Sequence, residues 1–217
     1  YFDIFRKTPI HDWHIDNKAE FENVGQWKRA WYYPKDNENM HQAIQRESKA
    51  ARESAGILDA STLGKIDIQG TDASEFLNRV YTNAWSKLAI GKCRYGLMLN
   101  EDGMVYDDGV TTRLNENHYI MTTTTGGAAN VLGKLEDYLQ TEWPELDVYL
   151  TSVTDHFATV SVCGPNSKKI VSEVIPDLNL TDENFPHMSF KDAKIGKINC
   201  RVMRISFTGE HSYEINI

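Results

Sequence analysis

One short unit occurs twice in the chain, and it constrains the fold more than any other feature. In "KIDIQGTDASEFLNRVY", Ile66 and Ile68 alternate as in a strand, Gly70 marks a turn, and the following apolar residues have helical spacing. "TVSVCGPNSKKIVSEVI" repeats this order with alternating valines, a turn at Gly164-Pro165 and an apolar helical stripe. The repeat predicts two related subdomains of the α+β class, in which helices cover mainly antiparallel sheets.

The residues around the two units predict where the other elements lie. Thr71 or Asp72 in the first unit, and Asn166 in the second, have side chains suited to capping the unit helices. Residues 93–125 indicate a three-stranded meander with turns at 100–103 and 115–117. Further helices are expected at about 39–56 and 127–142, and further strands at about 148–153, 198–207 and 213–217.

The first 38 residues differ in pattern from the rest. Their aromatic residues follow neither a helical nor a strand period: Trp13, Trp27, Trp31, Tyr32 and Tyr33. This pattern predicts an extended arm over residues 1–38 that packs on another surface as an interface segment, followed by a domain over residues 39–217.

Composition excludes several classes of protein. The 217 residues are 41% hydrophobic and 25% charged, which is typical of a globular protein with a core. A net charge of −8 argues against general nucleic-acid binding, and no apolar run approaches the roughly 20 residues of a membrane helix. The amino-terminal stretch lacks a secretory layout, so we expect a cytoplasmic protein. The chain begins without Met and ends within an alternating pattern, so we also expect a longer polypeptide.

Basic residues nevertheless gather in one region. This local cluster could face an anionic ligand or form a solvated strand face: Lys191, Lys194, Lys197, Arg201 and Arg204.

No metal or dinucleotide site is predicted. The cysteines Cys93, Cys163 and Cys200 are far apart in sequence and form no CxxC pair. His11 and His14 are close together, but no nearby Cys or acid completes a convincing ligand set. The chain contains no phosphate-binding glycine motif and no HExxH motif.

The adjacent acids of "NEDGMVYDDGV" raise the question of a catalytic carboxylate. Because strand side chains alternate between faces, Asp108 shares a face with Tyr106 and Val110, whereas Asp107 lies on the other. A carboxylate between two large apolar groups is partly desolvated, which raises its pKa and makes it a better proton acceptor. Two solvated acids on an edge strand would give the same pattern. Alternation therefore selects Asp108 as the candidate general base and leaves Asp107 as a bystander.

A second candidate carboxylate lies in "RISFTGEHSYEI". Glu214 follows a predicted turn and points to the face opposite Tyr213 and Ile215. Together with an aromatic side chain such as Phe207, it could bind the edge of a flat amidine-like ring, because two carboxylate oxygens accept two parallel N–H bonds. A solvent-facing strand acid would again fit the pattern.

Four stretches, in this order and at these intervals, resemble the folate-binding aminomethyltransferase family, typified by the glycine cleavage T-protein: "DASTLGKIDIQGTDASEFLNRV", "NEDGMVYDD", "HYIMTTTTGG" and "RISFTGEHSYEINI". The similarity spans about residue 40 to the end. "TPIHDWH" and "VGQWKRAWYYP" more closely resemble the α-subunit family of heterotetrameric sarcosine oxidases. The resemblance implies the aminomethyltransferase folate-binding fold, with the family's C-terminal barrel domain lying outside these residues.

The resemblance also assigns roles to individual residues. It places Asp108 beside the reactive nitrogens of tetrahydrofolate and Glu214 on the pterin ring. Phe207 stands where the family has a ring-lining Tyr, and Ser212 replaces the usual Gly before the ring-binding Glu. Three further residues fall where the family lines its pterin pocket: Leu63, Tyr95 and Thr122.

The function implied by the resemblance is one-carbon transfer. A sarcosine oxidase α subunit would use tetrahydrofolate here to capture the carbon of oxidised sarcosine, giving 5,10-methylenetetrahydrofolate, glycine and hydrogen peroxide. FAD, FMN and NAD would then bind in other parts of the polypeptide or in partner subunits of the hetero-oligomer. Two alternatives stay open: a glycine cleavage T-protein that receives its carbon from a lipoyl carrier, and a non-enzymatic interface or scaffold module.

Overall fold

The structure, a computed structural model, describes residues 3–217, which form two compact units. Unit 1 contains the residues up to Thr62 together with Phe157–Ile217, and unit 2 contains Leu63–His156. Unit 1 is thus discontinuous in sequence, because the whole of unit 2 is inserted into it.

Unit 2 is built on a five-stranded antiparallel sheet in the order β6-β7-β8-β5-β9. Its strands are β5 (Gly64–Gln69), β6 (Cys93–Leu99), β7 (Val105–Asn115), β8 (His118–Thr123) and β9 (Tyr149–Ser152). Its helices α3 (Ala73–Val80) and α4 (Ala128–Asp137) contribute Phe76, Leu77, Val131 and Leu135 to the core under this sheet. Burial of such side chains supplies the main driving force for folding.

Unit 1 contains a second five-stranded antiparallel sheet, in the order β11-β12-β13-β10-β4. Its strands are β4 (Gly56–Asp59), β10 (Thr159–Cys163), β11 (Ser189–Ile195), β12 (Ile198–Arg204) and β13 (Ser212–Asn216). Helix α5 (Ser167–Val174) packs through Val171 into a core shared with Tyr213 and Val202. Helix α2 (Met40–Glu53) precedes β4.

The two sheets share one topology, which confirms the predicted repeat and the α+β class. In each unit a strand and a helix, β5 and α3 or β10 and α5, are followed by a three-stranded meander. The last strand of the meander pairs with the strand before the helix, which is β5 in unit 2 and β10 in unit 1. The fifth strand of each sheet comes, in sequence, directly before the repeat that builds the other sheet. β4 precedes β5 but pairs with β10, and β9 precedes β10 but pairs with β5.

The turn glycines of the repeat are required at both positions. Gly70 has φ +137° and Gly164 has φ +106°, which are conformations that other residues rarely adopt. A Cβ would lie 2.0 Å from the Asp147 carbonyl oxygen at Gly70 and 2.6 Å from that of Ala51 at Gly164. The shared turn therefore depends on close approach of the backbone as well as on φ.

The predicted caps of the two unit helices were wrong. Asp72 and Asn166 occupy the N-cap positions of α3 and α5, but neither side chain makes a capping hydrogen bond. Their ψ angles of 10° and 0° are far from the extended value that directs a cap side chain back to the helix amides. Asn39, with ψ 171°, does cap α2 and forms a capping box with Gln42.

The amino-terminal segment contains more regular structure than the sequence pattern predicted. Residues expected to form an extended arm instead form β1 (Arg6–Lys7), α1 (His11–Asp16), β2 (Glu20–Val24) and β3 (Trp27–Tyr32), with sheet order β1-β3-β2. Elements of two to six residues are too short for a hydrophobic period to be recognised. The proposed domain boundary after residue 38 stays a prediction.

A buried histidine connects this segment to the unit 1 sheet. His14 Nδ1 lies 2.5 Å from the Tyr33 hydroxyl, and Nε2 lies 2.8 Å from Asp59 Oδ2 at the end of β4. Both His14 and the Asp59 side chain are almost fully buried, and hydrogen bonds from Ser61 and His14 hold the pKa of Asp59 below its ordinary value despite the opposing effect of burial. His14 thus has a structural role.

The basic residues of the β11–β12 hairpin do not converge on one site. Arg201 pairs with Asp192 at 2.7 Å, and Arg204 binds Asp182 at 2.9 Å and the Phe185 carbonyl oxygen at 2.6 Å. The three lysines Lys191, Lys194 and Lys197 are exposed. This arrangement favours the solvated strand face. No helix within residues 3–217 has the length and apolar character needed to cross a membrane.

Candidate functional site

Asp108 lies in β7 on a face that it shares with Tyr95 of the neighbouring strand β6. Asp108 pairs with Leu97, and Tyr95 pairs with Val110, so the Tyr95 side chain is diagonal to Asp108. The Tyr95 hydroxyl donates a 2.8 Å hydrogen bond to Asp108 Oδ2, and this bond raises the pKa of Tyr95. Tyr95 is 50% exposed and Asp108 is half-buried, so the pair can be reached by a ligand.

The desolvation expected at Asp108 is found at Asp107 instead. Asp107 is 6% exposed, and burial raises its pKa, with the charge of Asp108 adding to the effect. Alternation correctly separated the two faces, but it could not show which face packs inward: Asp107 shares its face with the fully buried Thr111. Tyr106 and Val110, which were expected to bury Asp108, are themselves only half-buried.

Asp107 is also more than a bystander. Its Oδ1 accepts a 2.6 Å bond from the Thr124 hydroxyl, and its Oδ2 accepts a 3.2 Å bond from the Thr124 amide. Thr124 lies between β8 and α4, so the carboxylate connects β7 to that loop. The sequence pattern left Asp107 as a bystander and gave no role to Thr124, for which the only signal was the polar run "TTTTGG" at the end of a predicted strand.

A β-bulge precedes the acid pair. Met98 pairs with Asp107 and Leu99 pairs with Val105, which leaves Tyr106 as the extra residue of β7. The predicted turn at 100–103 is confirmed by a bond from the Gly103 amide to the Asn100 carbonyl oxygen, at 2.9 Å. Bulges re-aim side chains next to many active sites, and this one sets the direction of β7 just before Asp108.

Of the other two residues predicted in this unit, Thr122 lies in β8, next to β7, and Leu63 lies just before β5. The Thr122 hydroxyl is engaged by β7: it accepts from the Val110 amide at 2.9 Å and donates to the Val110 carbonyl at 3.0 Å. Leu63, half-buried, immediately precedes β5, and its carbonyl oxygen accepts a 3.0 Å bond from Lys65. β8 pairs with both β5 and β7, and it carries Thr122.

Glu214 lies in unit 1, in the central strand β13. It pairs with Ser161 of β10 and Met203 of β12, and it is half-buried. Its neighbours Tyr213 and Ile215 are buried, which confirms the predicted alternation of this strand. The carboxylate therefore lies on the opposite face of the sheet from the unit 1 core.

Phe207 lies in the loop between β12 and β13 and is 91% exposed. The same loop is held to α2 by an ion pair between Arg52 and Glu210, and by a 3.4 Å bond from Arg52 to the Thr208 carbonyl. A bond from the Thr208 hydroxyl and the nearby Arg52 charge lower the pKa of Glu210. The loop thus presents an uncovered aromatic ring while its base is anchored.

The six predicted site residues are accordingly divided between the units. Asp108, Tyr95, Thr122 and Leu63 belong to unit 2, whereas Glu214 and Phe207 belong to unit 1. Their roles in binding and catalysis stay predictions. Chemically, each unit presents one half-buried carboxylate and one exposed aromatic ring, a pairing suited to a flat ligand with N–H donors.

Curated relatives match nearly the whole chain. The α subunit of sarcosine oxidase from Corynebacterium sp. (strain P-1) is 57% identical over 213 residues, covering 98% of this chain and 22% of that protein. The α subunit from Rhizobium meliloti (strain 1021) is 44% identical, and the match covers 100% of this chain and 22% of that protein. An aminomethyltransferase from Listeria monocytogenes is 29% identical, and the match covers 96% of this chain and 54% of that protein.

Solved structures show the same fold. The glycine cleavage system aminomethyltransferase T from Bartonella henselae matches 98% of this chain and 53% of that chain, with a TM-score of 0.81 at 23% identity. A chain of the heterotetrameric sarcosine oxidase from Corynebacterium sp. U-96 matches with a TM-score of 0.52 at 14% identity, covering 82% and 83%. The aminomethyltransferase fold predicted from the motifs is therefore confirmed.

The chain spans about a fifth of the sarcosine oxidase α subunits and about half of the aminomethyltransferases that it matches. The GCVT N-terminal domain model matches residues 10–217. These matches confirm the resemblance predicted from the sequence motifs, and the chain belongs to the GCVT N-terminal domain family.

Proposed function

We propose that this chain is the folate-binding part of a sarcosine oxidase α subunit. In that role it would transfer the one-carbon unit of oxidised sarcosine to tetrahydrofolate, giving 5,10-methylenetetrahydrofolate and glycine, with hydrogen peroxide formed at the flavin. The observation that carries the proposal is the Tyr95–Asp108 pair on a ligand-accessible strand face, in a chain 57% identical to a sarcosine oxidase α subunit.

Asp108 would act as the proton acceptor. Tetrahydrofolate would supply a nucleophilic amine here, and Asp108 would accept the proton that this amine loses when it bonds to the carbon. Tyr95 holds Oδ2 of Asp108 at 2.8 Å, and Oδ1 would receive that proton or stabilise the cation that develops. A half-buried carboxylate suits this task, because it is accessible to the amine and yet fixed in direction.

Glu214 and Phe207 would bind the pterin ring. The carboxylate of Glu214 can accept two parallel N–H bonds from an amino-pyrimidine edge, and the exposed ring of Phe207 offers a stacking surface. Leu63 would contribute apolar contact. Flavin and NAD would bind in other parts of the assembly, which we infer to be cytoplasmic.

Residues 1–38 would contact other subunits of a hetero-oligomer. Trp13 and Trp31 are each 49% exposed, and Phe5 is 65% exposed. Large exposed aromatic side chains are enriched at protein interfaces, which supports this assignment.

A stand-alone aminomethyltransferase is the second candidate, since such enzymes are 26–29% identical to nearly the whole chain. Its carbon would come from a carrier-bound aminomethyl group in place of sarcosine. Purified full-length enzyme separates the two candidates: peroxide formed from sarcosine supports the oxidase, and its absence together with folate-dependent methylene transfer from an aminomethyl carrier supports the alternative.

Calorimetry with tetrahydrofolate on the full-length protein tests the folate assignment itself. Glu214→Ala should raise the Kd at least about 10-fold, because charge-assisted hydrogen bonds contribute roughly 1.5–3 kcal/mol. Glu173→Ala, at an exposed position of α5, is the matched control and should bind like the wild type. Equal binding heats for wild type and Glu214→Ala would contradict the role of Glu214 in binding the pterin ring, and no binding heat from either protein would favour a non-enzymatic scaffold.

A further inference from the structure

The stretch of β7 that carries Asp108 is joined to β8 by side chains. The backbone register between β7 and β8 begins with Thr111, which pairs with Met121. One residue nearer the acid pair, the Thr122 hydroxyl bonds to both the amide and the carbonyl of Val110, at 2.9 Å and 3.0 Å. A threonine side chain therefore occupies the place where a partner backbone would continue the ladder.

A second side-chain connection lies on the other side of Asp108. The Asp107 carboxylate accepts bonds from the Thr124 hydroxyl at 2.6 Å and the Thr124 amide at 3.2 Å. The Thr124 hydroxyl also accepts a 3.2 Å bond from the Gly127 amide at the start of α4. Val110 is thus fastened to the end of β8 and Asp107 to the segment that follows β8, with Asp108 between the two contacts.

The glycines around these contacts show how closely the segments approach. A Cβ at Gly109 would lie 1.9 Å from the Thr122 carbonyl oxygen. A Cβ at Gly127 would lie 2.6 Å from the Thr124 hydroxyl and 2.7 Å from Asp107 Oδ1. None of these three distances is possible for a real Cβ, so the segments can approach this closely only because both residues are glycine.

Burial makes the Asp107 connection strong. Asp107 is 6% exposed, and a carboxylate that loses water is stabilised chiefly by the hydrogen bonds it accepts. Asp108, on the opposite face, is only half-buried, so its direction depends on the backbone beneath it and on Tyr95.

We propose that Asp107, Thr122 and Thr124 are positioning residues that together fix the direction of the Asp108 carboxylate. We call these three residues the threonine clamp. The inference rests on the proposed role of Asp108 and assigns to Thr122 a different role from lining the pterin pocket. Its physical basis is that a misplacement of a reacting group by about 1 Å can cost up to about 100-fold in rate.

Paired variants of the full-length enzyme test the threonine clamp. Valine preserves the shape of threonine but removes the hydroxyl, whereas serine keeps the hydroxyl, so each position has a matched pair. The readout is 5,10-methylenetetrahydrofolate formed per hydrogen peroxide, together with the Kd for tetrahydrofolate. Thr141→Val, which removes an exposed hydroxyl bonded to a backbone carbonyl in the same unit, is the control.

Thr122→Val and Thr124→Val should each lower the captured fraction about 10-fold while the Kd stays within about 2-fold, because positioning acts on the reaction step. Thr122→Ser and Thr124→Ser should restore capture. Asp107→Asn should lower it, because an amide has a single acceptor oxygen and cannot accept from both the hydroxyl and the amide of Thr124. Thr141→Val should behave like the wild type.

Three results would overturn the clamp. If the valine variants capture carbon like the wild type while Asp108→Asn does not, the clamp fails and the role of Asp108 stands. If serine and valine variants are equally impaired, the hydroxyl bonds are not what positions Asp108. If Asp108→Asn captures carbon normally, Asp108 does not take part in the transfer, and both the proposed function and the clamp are contradicted.

Discussion

The Tyr95 hydroxyl donates a 2.8 Å hydrogen bond to Oδ2 of Asp108, across the pairing of β6 with β7. The bond joins two residues that sequence motifs predicted to lie in one site, and it constrains one of the two carboxylate oxygens. Since the bond raises the pKa of Tyr95, the phenol remains a donor throughout the neutral range.

Tyr95→Phe isolates the contribution of this hydroxyl. The variant keeps the ring, so the Kd for tetrahydrofolate should change less than about 3-fold, whereas methylene transfer should fall about 10-fold because Asp108 loses its orienting donor. Stopped-flow measurement of transfer, with calorimetry for binding, checks both values. Tyr149→Phe, at a 68% exposed position of unit 2, is the control. A loss of affinity with unchanged transfer would make Tyr95 a binding residue only.

Phe207 is predicted to bind through its ring alone. Phe207→Tyr should leave the Kd for tetrahydrofolate within about 2-fold, whereas Phe207→Ala should weaken binding about 10-fold because the stacking surface is lost. Calorimetry on the full-length protein provides the comparison. If Phe207→Ala binds as tightly as the wild type, the 91% exposed ring serves some other contact.

The burial of Tyr33, whose hydroxyl lies 2.5 Å from His14 Nδ1, predicts a pH dependence in unit 1. Burial, with Asp59 and Glu47 nearby, raises the pKa of Tyr33 from 10.0 to about 12. Because the folded state holds this proton more tightly, the stabilisation is complete below pH 10 and is lost as the pH rises towards 12. Tyr33→Phe should therefore lower local stability by about 1 kcal/mol at neutral pH and reduce the alkaline loss.

Hydrogen exchange at the amides of β3 and β4 measures this effect in the full-length protein. His41→Gln, which changes an exposed residue of α2, serves as the control. Identical exchange in Tyr33→Phe and wild type at neutral pH would show that the Tyr33 hydroxyl does not stabilise this part of unit 1.

Two glycine substitutions in unit 2 should have opposite effects on its stability. Gly70→Ala should destabilise the unit by about 2 kcal/mol or more, because φ is +137° and a Cβ would lie 2.0 Å from the Asp147 carbonyl oxygen. Gly133→Ala, in α4 with no atom within 4 Å of the added Cβ, should stabilise it by about 0.5–1 kcal/mol. Denaturant titration of both variants measures the free energy of unfolding. An unchanged value in Gly70→Ala would contradict the turn geometry described above.

Much of this fold could be predicted from local pattern. Alternation around Ile66 and Val160 located the two unit strands, Gly70 and Gly164 located the turns, and alternation also placed Glu214 opposite Tyr213 and Ile215. The exchange of β4 and β9 between the sheets could not be predicted, because it depends on pairing between strands about 80 to 100 residues apart.

The acid pair shows the same limit at the site. Alternation states which side chains share a face, but only tertiary packing decides which face is buried, and here Asp107 points inward. The role of Thr124 could not be predicted for a related reason, because Thr124 and Asp107 are 17 residues apart in sequence and only the fold brings them together. Alternation and the family resemblance both selected Asp108 as the candidate general base, but the burial that alternation predicted for it is found at Asp107.

The most direct test is the product distribution of the full-length enzyme carrying Asp108→Asn, with Asp137→Asn at an exposed position as the matched control. During sarcosine turnover with tetrahydrofolate, 5,10-methylenetetrahydrofolate per hydrogen peroxide should fall about 100-fold, since general-base catalysis contributes roughly 10²–10⁴-fold. Formaldehyde should replace it, because the unreacted imine is hydrolysed by water. An unchanged ratio of methylenetetrahydrofolate to peroxide in Asp108→Asn would contradict the role of Asp108 in one-carbon transfer.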